Sequence, residues 1–197
     1  MREIIKLVVV LTLICGISVG TLEIARANLA GRIEKQNDRY IRGPALSRLF
    51  AKPADELLEN KINLNLDGQK YPVFFMRENG KITGLAVEAT GKGGYGGDIQ
   101  IMIGIDLLTC KLKGMEIIQH SETPGVGAQV EKENFRSQWI NLPLTKNIAL
   151  RQDNGKIQGI TGATYSSRAV VDGTNRILKL VTQHRDEIIN EIQAKAK

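Results

Sequence analysis

Apolar residues dominate the start of the chain and then give way to shorter periods. From Leu7 to Leu22 no charged residue interrupts LVVVLTLICGISVGTL. With the flanking Ile4, Ile5 and Glu23–Ala25 this reaches the roughly 20 residues that a helix needs to cross a bilayer, Lys6 and Glu23 snorkelling at its ends. Residues 26–60 alternate charges with Leu29, Ile33, Tyr40 and Ile41, which predicts a polar helix interrupted at Pro44 and Pro53. Period-two runs then predict strands at Ile62–Leu66 and Tyr71–Met76, turned by Asp67-Gly68, and at Ile82–Ala89 after Asn79-Gly80. Further strands are expected at Ile99–Ile105 and Met115–His120, and near Ile148–Arg151 and Lys156–Ile160 around Asn154-Gly155. A short helix is expected at Glu131–Trp139. A longer one starts near Ser166 on the face made by Ala169, Val170, Ile177, Leu178 and Val181, and continues or restarts through Ile188, Ile189 and Ile192. Consecutive strands with helices at the ends predict an α+β fold. The expected organisation is a transmembrane anchor at 1–25, a basic helical neck at 26–60 and one domain at 61–197.

The apolar N-terminus admits two readings. An uncleaved anchor would run on into the neck, whereas a signal peptide would use Ala25-Arg26-Ala27 as an A-x-A cleavage site. Composition sharpens the picture. The net charge of +6 would ordinarily raise nucleic acid as a partner, but the charge is local. Residues 26–52 hold seven cations (Arg26, Arg32, Lys35, Arg39, Arg42, Arg48, Lys52) against Glu34 and Asp38, a balance of +5. Residues 53–197, with 18 cations and 17 anions, sit near neutrality. No nucleic-acid surface is expected; the basic neck instead suits lipid headgroups or acidic partner surfaces at a membrane. The same cations argue for a cytoplasmic domain by the positive-inside rule, while the A-x-A signal argues for export. Two cysteines form no disulfide framework, and Cys110 is expected as a small buried apolar residue, with Cys15 inside the span. His120 and His184 stand apart, so no metal site is expected.

Three constellations carry candidate chemistry. Thr161-Gly162-Ala163-Thr164-Tyr165-Ser166-Ser167 lies at a strand-to-helix junction, where hydroxyls favour capping and free N–H groups favour an anion. Ser121-Glu122-Thr123-Pro124-Gly125-Val126-Gly127 predicts a tight loop that presents Glu122 and Thr123 outward. Gly91-Lys92-Gly93-Gly94-Tyr95-Gly96-Gly97 lacks the spacing of a P-loop; its glycines suggest a place where another surface comes close, with Tyr95 free to lie on a flat ligand.

In this order, GKGGYGG, SETPGVG and TGAT behind an N-terminal anchor resemble the covalent FMN-binding domain of electron-transport flavoproteins. The resemblance is greatest to the G subunit of the Rnf ion-translocating complex and extends to the C subunit of sodium-pumping NADH:quinone reductase. It implies FMN carried as a phosphoester on Thr164, with Thr161, Gly162 and Ala163 lining the phosphate side. It further implies Glu122 and Thr123 near the flavin, Gly125 and Gly127 shaping their loop, Tyr95 beside the isoalloxazine, and Lys146 as a further flavin contact. The family pattern has an Asp a few residues before the Thr; Gln158 stands near that place here. An ordinary Thr hydroxyl is a poor nucleophile, and no His or Lys is placed by sequence to activate it, so attachment calls for a separate flavin transferase. No catalytic acid–base group is expected. The implied role is that of a one-electron relay between ferredoxin and NAD, within a redox-driven ion-translocating complex of the inner membrane. Its domain would lie on the periplasmic side and its partners would be the other Rnf subunits. Two alternatives stay open at this point: a stand-alone extracytoplasmic FMN carrier, and a cofactor-free membrane-anchored assembly module.

Overall fold

A computed structural model describes residues 2–66, 68–145 and 147–195. Helix α1 (Arg2–Asn37) is unbroken and none of its residues is buried. With the turns that follow it forms a helical stretch, Arg2–Phe50, whose first part is long and apolar enough to cross a membrane by length and composition. Ala25-Arg26-Ala27 lies within this helix instead of in an extended segment.

Pro44 does not interrupt the helix. Residues Asp38–Arg42 widen into a π-turn, in which the Gly43 N–H donates to the carbonyl of Asp38. The chain re-registers there, and Pro44 falls in the first turn of α2 (Gly43–Phe50), where its missing N–H costs no helical bond. Helix α2 ends on Ala51 in the left-handed conformation, and Pro53 then caps the short α3 (Ala54–Glu59).

Five strands follow as an antiparallel meander in chain order: β1 (Lys61–Leu66), β2 (Gln69–Glu78), β3 (Lys81–Gly91), β4 (Ile99–Asp106) and β5 (Lys111–Gln119). Asp67, half of the expected first turn, lies outside the described residues; Asn79 and Gly80 turn β2 into β3, both at positive φ. Side chains alternate across the sheet, and both faces are covered. Val73, Phe75, Leu85, Val87, Ile101, Ile103 and Ile105 point toward the long helix α5 (Thr164–Gln183). Phe74, Met76, Ala86 and Met102 point the other way, under Leu46, Leu49, Phe50 and Leu57 of α2 and α3. The lower part of the neck is therefore packed on the sheet, while residues 26–41 form a stalk with no buried residue, tied to β1 where Lys61 meets Glu34 and Asp38.

Two expected elements differ. The run expected as one helix at Glu131–Trp139 is a 3₁₀ turn (Gly127–Glu131), a single α-turn α4 (Glu133–Arg136) and another 3₁₀ turn (Ser137–Trp139). Only Val130, Phe135 and Trp139 in it face the core, too few per turn to support a regular helix. The strands expected around Asn154-Gly155 reduce to a single parallel bridge, Leu150 to Ile157, closed by a 3₁₀ turn. Gly155 lies so close to Ala149 that an added Cβ would stand 1.9 Å from its carbonyl oxygen, which leaves no room for a ladder. Helix α5 stops at His184 and α6 (Arg185–Lys195) restarts, with Ile188 and Ile192 reaching the core. Cys110 is exposed, not buried, because it occupies a left-handed turn position (φ 54°) between β4 and β5.

Candidate functional site

The three sequence constellations, far apart in the chain, converge at the start of α5. The end of β3 and the helix meet backbone to backbone: a Cβ on Gly91 would stand 1.9 Å from the Ala169 carbonyl oxygen, and one on Gly173 would stand 2.9 Å from Ile101. The Lys92 N–H then donates to Asp172 Oδ2 at 2.9 Å, pinning the stem of the glycine loop to the helix. The sequence expected these glycines to admit a close surface; at Gly91 that surface is the protein's own helix, and at Gly96 it is the backbone of Ser121 and Glu122.

Glu122 joins the three segments. Its Oε1 accepts the Gly96 N–H at 3.2 Å, and its Oε2 accepts the Ser166 hydroxyl at 2.8 Å. The side chain is 5% exposed, so it points inward, contrary to the outward presentation expected of it; Thr123 alone of the two is exposed. Inward placement satisfies the buried Ser166 hydroxyl and holds the Gly96 N–H of the glycine loop. Gly127 is small by necessity, since an added Cβ would stand 2.3 Å from Glu122 Oε2. Behind it, His120 Nδ1 accepts the Glu122 N–H at 3.0 Å, which leaves Nε2 protonated toward Glu131 at 2.9 Å.

At the helix start the hydroxyls do not cap. Ala163 is the N-cap residue, with no side-chain hydrogen bond to the first turn. Ser167 instead braces the turn before it, accepting the Ile160 N–H and donating to the Ala163 carbonyl, both at 3.0 Å. Gly162 (φ +80°) turns the chain and leaves open space where a Cβ would be. The first-turn N–H groups beside Thr164 are thus available to an anion.

These pieces enclose an open cavity of about 430 Å³ lined by Tyr95, Glu122, Thr123, Val126, Gly127, Gly162, Ala163, Thr164, Tyr165 and Ser166. Seven residues expected from sequence line it: Tyr95, Glu122, Thr123, Gly127, Gly162, Ala163 and Thr164. Thr161 and Gly125 are adjacent in the chain but not in the lining, and Lys146 lies outside the described residues. Val126, Tyr165 and Ser166 complete the lining, although the sequence assigns them no contact of their own. Tyr165 has a signal, a bulky aromatic in the first turn of an amphipathic helix but off its apolar face. Tyr95 and Tyr165 are 79% and 64% exposed, so both rings are free to meet a ligand and neither is core. Gln158 holds Gln138 through its backbone, its N–H on Oε1 at 2.7 Å and its carbonyl on Nε2 at 3.2 Å; its own side chain is exposed. A second cavity of similar volume lies near Arg42 and Glu88, but its charged groups are largely paired with one another.

Comparison with known proteins shows what the chain resembles. Residues 94–179 match the FMN-binding domain family. The matched span opens in the glycine loop and closes in α5, and so includes every described residue of the cavity. In sequence, the chain is 34% identical over 136 residues to the G subunit of the ion-translocating oxidoreductase complex of Photorhabdus laumondii, covering 62% of this chain and 64% of that protein. It is 31% identical over 138 residues to the protein of the same name from Aliivibrio fischeri, covering 67% and 65%. The chain thus spans less than two thirds of the length of these curated relatives. In structure, it resembles the C subunit of Na⁺-translocating NADH-quinone reductase from Parabacteroides distasonis, with a TM-score of 0.59 and 20% identity over 76% of this chain and 94% of that one. NqrC of Shewanella oneidensis gives 0.50 at 20% identity, over 69% and 70%. The chain therefore shares its fold with those proteins.

Proposed function

We propose that the chain is the flavin-carrying subunit of a membrane electron-transport complex of the ion-translocating oxidoreductase type. On this reading FMN is held as a phosphoester on Thr164. The observation that carries it is the position of Thr164, in the first turn of a 20-residue helix, in a cleft with an exposed tyrosine from each of two segments. The residues present fit the group. Gly162 keeps the phosphate side free of side chains, the first-turn N–H groups and the helix dipole favour a phosphodiester anion, and Tyr95, Tyr165 and Val126 offer apolar surface to a planar ring.

Bound FMN would supply the redox change; the protein supplies position and electrostatics. Glu122 has both oxygens occupied by Gly96 and Ser166, so it holds the walls of the cleft and is not a base for Thr164. Among the described residues the cavity lining contains no His or Lys, which supports attachment by a separate flavin transferase using FAD as donor. The apolar helix α1 anchors the domain at the membrane, and the domain faces the periplasm, where a tethered flavin is not lost by dilution. The neighbouring subunits of the complex pass electrons between ferredoxin and NAD, and Lys146 remains a candidate flavin contact.

The test is in-gel fluorescence of the denatured full chain after co-expression with a flavin transferase. The wild type is expected to give a fluorescent band, and Thr164→Val none. Fluorescence that persists in Thr164→Val would overturn the attachment.

A further inference from the structure

The stalk between the apolar span and the sheet has two unlike flanks. Glu34 and Asp38 face the folded domain, with Lys61 Nζ 3.0 Å from Glu34 and 2.9 Å from Asp38, and Arg42 2.7 Å from Asp38. Counted at about 100° per residue, Leu22, Leu29 and Ile33 fall on one line away from that flank, and Tyr40 continues it. These four side chains are 70, 46, 47 and 70% exposed. Arg32 and Arg39 run along one shoulder of this stripe, about 80° and 100° round from it, while Lys35 lies further round toward the domain.

The cations of residues 26–52 divide accordingly. Arg42 is taken by Asp38 and Glu88, Arg48 by Glu116, and Lys52 by Glu56 and Glu78. Among the described residues, Arg26, Arg32, Lys35 and Arg39 have no such partner. The unpaired part of the basic surplus thus lies on the stalk, with Arg32 and Arg39 flanking the apolar stripe.

Two occupants are disfavoured by geometry and charge. If the hydrocarbon ends near Glu23, Arg32 to Arg39 lie roughly 14–24 Å further along the helix at 1.5 Å per residue. The headgroup layer is only about 5–7 Å deep on each side, so lipid does not reach them. A second copy packed on the same stripe would set one cationic row against another. Heptad-like spacing of the stripe suits a helix, and the flanking cations suit carboxylates on it.

We infer that the outer face of the stalk docks an acidic amphipathic helix of a different membrane-anchored protein, one that leaves the bilayer beside α1. This rests on α1 being the membrane anchor, and goes beyond the flavin site. The stripe would supply apolar contact, and Arg32 and Arg39 would select the partner and set its register.

The experiment uses the full chain in its native membranes, with a benzophenone amino acid replacing Ile33, or Ala27 on the opposite flank as control. Ile33 is expected to cross-link one integral membrane protein, mapped by mass spectrometry to an acidic segment; Ala27 is expected to give little. Combining Arg32→Glu with Arg39→Glu should lower the Ile33 cross-link about tenfold or more, since like charges then face each other. Cross-linking to a second copy or to lipid, equal yields from both positions, indifference to charge reversal, or no cross-link would each overturn the docking surface. Release of the wild-type chain from membranes by alkaline carbonate would overturn the anchor and the docking together, and so distinguishes the two failures.

Discussion

The two faces of the sheet are closed by different kinds of contact. Toward α5 the closure is apolar and continuous, from Leu64 and Val73 through Ile101 and Ile103 to Ile177 and Val181. Trp139 is fully buried there, its indole N–H donated to Thr174 Oγ1 at 2.9 Å and its ring 5.0 Å from that of Phe135. Toward α2 the apolar cluster is small, and two buried carboxylates share the surface. Glu88 accepts from Arg42 at 2.5 and 3.0 Å; Glu116 is held between Arg48, at 2.8 Å, and Arg136. Apolar burial is non-directional and supplies stability, whereas paired charges have one good geometry and contribute little net free energy once desolvation is counted. The first face makes the domain fold, and the second fixes the direction in which the stalk leaves it.

The largest effect is expected where the apolar face is emptied. Trp139→Ala should lower unfolding stability in urea by roughly 3–5 kcal/mol, from lost burial, a cavity and the lost hydrogen bond to Thr174, whose hydroxyl still donates to the Val170 carbonyl. A loss within about 0.5 kcal/mol would break the contrast, because that is the range of surface substitutions.

The charged face should respond differently to single and double changes. Burial raises the pKa of Glu88, against the opposing pull of the Arg42 guanidinium, while Glu88 and Asp38 hold the proton of Arg42 more firmly despite its own burial. Glu88→Leu alone should cost about 3 kcal/mol, since it leaves the half-buried Arg42 guanidinium with Asp38 alone, whereas Arg42→Leu with Glu88→Leu should return to within about 1 kcal/mol of wild type. A double-mutant cycle by urea denaturation reads the difference, and a double variant no more stable than Glu88→Leu would show that the pair supplies net stability after all.

The smallest effect lies outside both faces. Arg168 holds Asp153 through hydrogen bonds at 2.9 and 3.2 Å, and so keeps its carboxyl below the ordinary range. A depressed acid stabilises the fold above its unfolded pKa, about 3.9, and that contribution fades as pH falls through the folded value. An NMR titration of Asp153 should show a midpoint below about 3.9 that returns toward it in Arg168→Leu. An ordinary midpoint in the wild type would remove Arg168 as a tie between the 149–157 turn and α5.

The same contrast explains what could be read from sequence. Strands β1 to β5 were legible because period-two apolar runs bounded by Asn79-Gly80 and similar turns encode a sheet face directly. The cleft residues were legible because close backbone approach restricts residue type: Gly91, Gly127 and Gly162 stand where a Cβ would collide or fill the space. What was hidden depends on partners distant in the chain. The inward turn of Glu122 follows from Gly96 and Ser166, 26 and 44 residues away. Pro44 looked like a helix stop because sequence does not reveal that a π-turn would realign the chain before it. The expected helix at Glu131–Trp139 failed because its apolar residues serve a winding segment pressed on the sheet edge.

The π-turn has a mechanical consequence. Because α1 passes through it into α2 without a flexible joint, and Arg42 is clamped there to both Asp38 and Glu88, the stalk and sheet form one rigid lever. The stalk is then a ruler and a compass together. Each residue added to it would lift the cleft by about 1.5 Å and turn it by about 100°, so a change of length would aim the site in a new direction long before it carried it far.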